Sequence, residues 1–135
     1  MSKLQSQSTS NAASMVQRAS IAALTGSQEC VADMRADYIQ LRDRILEGLK
    51  TIPGITCTVP EGAFYVYPNV SAFIGKGGIK SASDLAAKLL SEAHVVVVPG
   101  EAFGTGAHIR LSYAVSGEVI DKGVERIREF LAKLD

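Results

Sequence analysis

A single arginine set into an alternating run, His108-Ile-Arg-Leu-Ser-Tyr-Ala114, is the most specific chemical feature of this sequence. Side chains of a strand alternate with period two, so Ile109, Leu111, Tyr113 and Val115 share an apolar face. His108, Arg110, Ser112 and Ala114 share the other. A guanidinium stays charged at any physiological pH and grips a carboxylate or phosphate through two parallel hydrogen bonds. Arg110 therefore reads as an anion grip; the competing reading is an ordinary surface arginine on an edge strand. Directly before it runs Val95-Val-Val-Val-Pro-Gly-Glu-Ala-Phe-Gly-Thr-Gly106, a strand that opens into a glycine-rich loop of the kind that shapes a pocket.

The other candidates are less specific. His108 lies on the face of Arg110 but has no identifiable nucleophile or carboxylate beside it, and reads as a structural polar residue. His94, at a helix end, reads as a cap. Tyr65 and Tyr67 share a strand face with Ala63; they could line a site, although packing in a core or interface is the preferred reading. Gly75-Lys-Gly-Gly78 follows no strand and precedes no Lys-Ser/Thr pair, so it reads as a surface loop rather than a phosphate cradle. No Ser/His/Asp set, zinc cluster or catalytic carboxylate pair is found, and no metal is expected. Read from residues alone, the chain has an anion grip and no catalytic engine.

With 135 residues the chain is long enough for one ordinary core without disulfides or metal. Its 14 basic and 14 acidic side chains balance, so neither composition nor charge runs favour nucleic acid. Cys30 and Cys57 stand apart, without ligand spacing, and read as reduced thiols of a cytoplasmic protein. No apolar run reaches the roughly 20 residues of a membrane span, so no membrane partner is expected.

The elements that would position Arg110 follow from periodicity. Residues 1–11 are polar and read as an extended or loop segment. A small-residue helix starts at Ala12, with Asn11 or Ser10 as cap and Gly26 as stop. A long helix follows with the stripe Val31, Met34, Tyr38, Leu41, Ile45, Leu49, Ile52, closed by Pro53-Gly54. Ile55–Val59 and Ala63–Tyr67 read as a β-hairpin turned by Pro60-Glu-Gly62. Ser81-Ala-Ser-Asp84 has the form of a capping box and opens a helix bearing Leu85, Leu89, Leu90 and Ala93. Four valines, Val95 to Val98, suit a strand covered on both faces. After the arginine strand, Ser116 and Glu118 open a last helix with Ile120, Val124, Ile127, Leu131 and Leu134 on one side. The expected class is α+β, a small mixed or antiparallel sheet with helices mainly on one face, preceded by a long helix.

Four ordered motifs carry a resemblance. Lys3-Leu-Gln-Ser-Gln-Ser-Thr-Ser-Asn11, Pro60-Glu-Gly-Ala-Phe-Tyr65, Val98-Pro-Gly-Glu-Ala-Phe-Gly104 and Ile109-Arg-Leu-Ser-Tyr-Ala114 together resemble the C-terminal small domain of fold-type I, pyridoxal-phosphate-dependent aminotransferases, the bacterial aspartate aminotransferases above all. The resemblance implies that Arg110 binds the substrate α-carboxylate. It puts Gly62, Ala63, Phe64, Gly100, Phe103 and Gly104 at or near the pocket rim, and brings Ser8 and Thr9 near the partner subunit's cofactor site in a homodimer. It implies amino-group transfer between an amino acid, aspartate, and a 2-oxo acid, 2-oxoglutarate.

The sequence departs from that pattern in one respect. The family's Schiff-base lysine, the aspartate paired with the pyridinium nitrogen and the phosphate cup belong to a large domain that precedes the Gln-Ser-Gln-Ser segment. Lys3 does not match that lysine, and Lys76 and Lys80 sit in a loop without a matching motif. The expectation is a detached small domain over residues 12–135, joined through residues 1–11 to a missing large domain, with Met1 an internal methionine used as a start. No catalytic residue and no direct pyridoxal phosphate ligand is expected in the chain, and it is expected to be inactive alone. The alternatives are a free-standing small α/β amino-acid-binding or regulatory module, which leaves the ordered motifs unexplained, and a structural fragment without a ligand.

Overall fold

A computed structural model of the chain describes residues 2–8 and 11–134. They divide after Met34 into two compact units.

The first unit holds α1 (Ser2–Ser8), α2 (Ser14–Thr25) and the start of α3 (Glu29–Lys50). Helix α1 corrects the expectation of an extended or loop segment. The Ser6 hydroxyl does not draw the chain out of the helix, since its Oγ donates to the Lys3 carbonyl at 3.0 Å, one turn back. The cap of α2 is Ala13, which uses no side chain, so Asn11 does not serve as the expected cap. Ser10 lies outside the described residues. Gly26 ends α2 as expected, its N–H donating to the Ala22 carbonyl at 2.9 Å. No residue of α2 is buried.

The second unit carries the core. The last turns of α3 bury Ile45, Leu46 and Leu49, while Val31 and Met34 of the same sequence stripe are more than half exposed. Helix α4 (Ala82–Ala93) buries Leu85 and Leu89 completely. Helix α5 (Gly117–Leu131) buries Ile120, Val124, Ile127, Phe130 and Leu131, the expected stripe with Phe130 added and without Leu134, which lies beyond the helix and is partly buried. Gly48 lets α3 and α5 approach closely: a Cβ there would fall 3.0 Å from a methyl of Val124.

Three short strands complete the core, in the order β1-β3-β2 and antiparallel throughout. They are β1 (Tyr65–Val66), β2 (Val98–Pro99) and β3 (Ile109–Ser112). Tyr65 pairs with Ser112 and Val66 with Leu111 on one side of β3; Val98 pairs with Arg110 and Pro99 with Ile109 on the other. Val66, Ile109, Leu111 and Tyr113 turn into the core. The α+β class with a small antiparallel sheet is therefore the observed one.

Two local expectations are corrected. Ile55–Val59 and Ala63–Tyr67 do not form a hairpin; β1 pairs with β3, and the first segment contributes one bridge, Thr56 to Asn69. Only Ile55 of that segment is buried and Val59 is 52% exposed, so alternation does not commit it to a sheet face. The valine run is covered on one face only. Helix α4 ends at His94 in the left-handed conformation (φ 56°), whose N–H donates to Leu89, as does that of Val95. The chain thus spends Val95–Val97 leaving the helix, the ladder starts at Val98, and Val96 is 77% exposed.

Candidate functional site

The polar face of the sheet gathers Tyr65 and Tyr67 from one segment with His108 and Arg110 from β3. Both tyrosines stand on the arginine's side rather than in the core, because Val66 between them takes the core position. The partly buried Arg110 guanidinium lies 5.3 Å from the Tyr65 ring centroid and 4.7 Å from that of Phe103, a cation set over two aromatic faces.

Phe103 reaches the arginine from the 3-10 turn Gly100–Phe103. That turn is tied to the sheet at several points. The Gly100 N–H donates to the His108 carbonyl at 2.8 Å, and the Thr105 N–H to the Gly100 carbonyl at 3.1 Å. Tyr67 stacks on His108 with centroids 4.8 Å apart and meets Phe103 edge-on at 6.0 Å. Its hydroxyl lies 2.6 Å from the Thr105 Oγ1 and 3.3 Å from the Gly100 carbonyl. Gly100 is required at this crossing: a Cβ would sit 2.8 Å from the Tyr67 hydroxyl and closer still to two carbonyl oxygens.

Among the described residues Arg110 makes no ion pair and no hydrogen bond. The acid nearest in sequence to Phe103 is engaged elsewhere, because Glu101 Oε1 accepts from the Ser83 N–H at the first turn of α4, 3.2 Å away. With no acid or acceptor of this chain bonded to it, the guanidinium keeps its N–H donors, the groups a carboxylate takes bidentately.

The sequence-derived rim residues are brought together unevenly. Phe103 touches Arg110, and Gly100 lies under Tyr67. Phe64 is 53% exposed and meets the Tyr65 ring edge-on at 6.1 Å, one step from the arginine. Ala63 adopts a left-handed backbone (φ 62°), and its carbonyl accepts from the Tyr113 hydroxyl at 3.0 Å, which pins the start of β1. Gly62 is exposed, with open space where a Cβ would be, as is Gly104. Thr9 lies outside the described residues, as does the side chain of Ser8. Sequence reasoning did not single out Thr105; a hydroxyl between two glycines carries no periodic signal.

A hollow of about 260 Å³ continues the same face, lined by Thr56, Cys57, Thr58, Tyr67, Asn69 and His108. His108 Nδ1 is buried without a hydrogen-bond partner. Burial pushes the Cys57 thiol up, away from the thiolate that would make it a nucleophile. A larger hollow of about 590 Å³ lies against α5 between Val96 and Val115; it is mainly apolar and does not include Arg110.

A model of the family described as aminotransferase class I and II matches residues 1–127. The chain belongs to that family. It is 44% identical over 131 residues to an aspartate aminotransferase of Geobacillus stearothermophilus, covering 97% of this chain and 33% of the relative. The aspartate aminotransferase of Rhizobium meliloti superposes with a TM-score of 0.93 at 39% identity, over 98% of this chain and 34% of that one. The aspartate aminotransferase of Thermus thermophilus, solved with maleate, superposes with a TM-score of 0.83 at 38% identity, over 94% and 32%. This aminotransferase chain thus spans about a third of the length of these relatives.

The family's cofactor, pyridoxal phosphate, needs an amine to take up its aldehyde, a carboxylate facing its pyridine nitrogen and a cup of donors for its phosphate. The groups gathered around Arg110 are aromatic rings, a hydroxyl pair and an imidazole. None of them is an amine, a carboxylate or a cup of phosphate donors, so they do not fit the cofactor.

Among the described residues no three potential metal ligands cluster, and no helix is long and apolar enough to cross a membrane.

Proposed function

We propose that this chain supplies the carboxylate-gripping face of a cytoplasmic, homodimeric aminotransferase that moves an amino group between aspartate and 2-oxoglutarate. Arg110 takes the α-carboxylate common to both substrates. A bidentate hold on a planar group fixes position and rotation together, so the Cα–H bond is presented in one orientation to whatever base removes its proton. Pyridoxal phosphate, when bound by the rest of the enzyme, supplies the electron sink for that bond. The residues of this chain bind and orient; Phe103, with Phe64 and Ala63 at the rim, limits water around the grip and strengthens it.

One observation supports this reading above the others: a guanidinium set over two aromatic rings, with no acid partner among the described residues. The maleate of the Thermus thermophilus structure is a dicarboxylate, the chemistry such a grip suits.

Chemistry and grip are divided between two parts of the parent enzyme in this proposal. The purified 135-residue chain, given pyridoxal phosphate, aspartate and 2-oxoglutarate, is expected to form no glutamate, and aspartate is expected to leave the cofactor's absorbance unchanged. Glutamate formation by the chain alone would mean that one of its own lysines holds the cofactor, and the proposed division would be wrong.

A further inference from the structure

Arg110 has a long side chain with several rotatable bonds, and no acid among the described residues selects its rotamer. What selects it is the pair of rings, and the two are secured differently. Tyr65 belongs to β1 and is fixed by its pairing with Ser112. Phe103 ends a four-residue 3-10 turn, is 48% exposed, and is followed at once by Gly104 in a left-handed conformation (φ 83°). A turn of that kind holds a ring only if its far side is anchored.

Thr105 is the residue just beyond that glycine, and its Oγ1 meets the Tyr67 hydroxyl at 2.6 Å. The same tyrosine ring touches Phe103 edge-on and is itself backed by the stacked imidazole of His108. We infer that Tyr67 and Thr105 are positioning residues, whose hydroxyl pair latches the Gly100–Thr105 turn to the sheet and so holds Phe103 against Arg110 in the orientation a carboxylate needs. His108 acts as the backstop: stacked 10° from parallel to Tyr67, it fixes the plane of that ring and therefore the direction of its hydroxyl. The inference rests on the proposed carboxylate role of Arg110 only for its functional consequence. The latch and the ring contacts are testable without a ligand.

The test is nuclear magnetic resonance of the full 135-residue chain, following the Arg110 side-chain Nε–Hε signal, first alone and then on titration with maleate. In the wild-type chain the Hε proton is expected to be displaced by the ring currents of Tyr65 and Phe103. Thr105→Val removes the hydroxyl at nearly constant shape, Tyr67→Phe removes its partner, and Thr105→Ser keeps the hydroxyl. The valine and phenylalanine variants are expected to return the Arg110 signal toward its ordinary position and to weaken maleate binding about fivefold, within the range for loss of one neutral hydrogen bond. The serine variant is expected to restore both.

Wild-type position and affinity in both hydroxyl-deletion variants would overturn the latch and leave the carboxylate role of Arg110 standing. Absence of any maleate response in the wild-type chain would sink the carboxylate role, and the ring-current displacement would then decide the latch alone. Signal changes spread through the α4 and α5 core in both variants would show a general structural role and count against it.

Discussion

The two faces of β3 are built from neighbouring residues and held by different means. Ile109, Leu111 and Tyr113 face a core supplied by α3, α4 and α5, where many apolar contacts share the work and no single one decides the conformation. His108 and Arg110 face the rings of Tyr67, Tyr65 and Phe103, delivered by a loop and by β1 with the residue after it, and held by a few identifiable contacts. The core face is redundant and tolerant of partial loss. The site face is sparse, so single atoms, such as the Thr105 hydroxyl, carry its geometry. A change on one face should therefore register as stability, and a change on the other as affinity.

The sharpest way to break that contrast is a truncation on the core side. Ile109→Ala, at a position 1% exposed, is expected to cost about 2–5 kcal/mol of unfolding free energy in urea titrations, and to leave maleate affinity near wild type while the chain is folded. A large affinity loss in a folded Ile109→Ala chain would show that the faces are coupled. A smaller effect concerns α4, whose Ser81 cap accepts from the Asp84 N–H at 3.1 Å while Asp84 Oδ2 accepts from the Lys80 N–H at 2.9 Å. Ser81→Ala is expected to lower stability by about 1 kcal/mol without altering the Arg110 signal. Since Glu101 also reaches this turn, through Ser83, a change at Arg110 in that variant would reveal a route from the helix end to the site loop.

The smallest effect is electrostatic. Asp121 receives two hydrogen bonds from Arg44, at 2.8 and 2.5 Å, and these hold its carboxyl below the usual carboxylate range. A carboxyl depressed in the folded chain contributes stability above its unfolded value, near 4, and loses it as pH falls through the folded value. Both groups are about half exposed, so the contribution is small. Asp121→Asn is expected to be slightly less stable than wild type at neutral pH in low salt, with the gap closing below pH 4. A gap that persists in acid would mean that the pair acts through packing.

The same contrast explains what could be read from sequence. The core-facing side was legible because burial imposes a period: Ile120, Val124, Ile127 and Leu131 mark α5, and the alternation of Ile109, Leu111 and Tyr113 identifies which way Arg110 points. Ser81 and Gly26 announced helix ends through local hydrogen bonding. Pairing was legible only in part. Ile55–Val59 has strand composition, but its neighbour takes β3 as partner, a choice made by contacts more than forty residues away in sequence. The valine run misled because apolar β-branched residues signal covering surface without saying whether this chain supplies it on both sides; Val96 is left exposed. Tyr65 and Tyr67 carry composition typical of a core or interface, and only the placement of Val66 puts them beside the arginine. The role of Thr105 is a meeting of loop and sheet, with no repeat in the sequence to announce it.

What stands or falls first is the carboxylate grip of Arg110, a guanidinium that rests on two aromatic rings and has no acid partner among the described residues. The measurement that tests it most directly is calorimetric titration of maleate into the full chain, its Arg110→Lys variant and its Arg110→Ala variant. Saturable one-to-one binding to the wild-type chain is expected. Arg110→Ala is expected to lose about 2–3 kcal/mol of binding and Arg110→Lys, which keeps the charge and gives up the fork, an intermediate amount, with stability changed by less than about 0.5 kcal/mol in either. Equal maleate binding by all three chains would contradict it, and so would a loss that Arg110→Lys fully restores, since a point charge would then suffice.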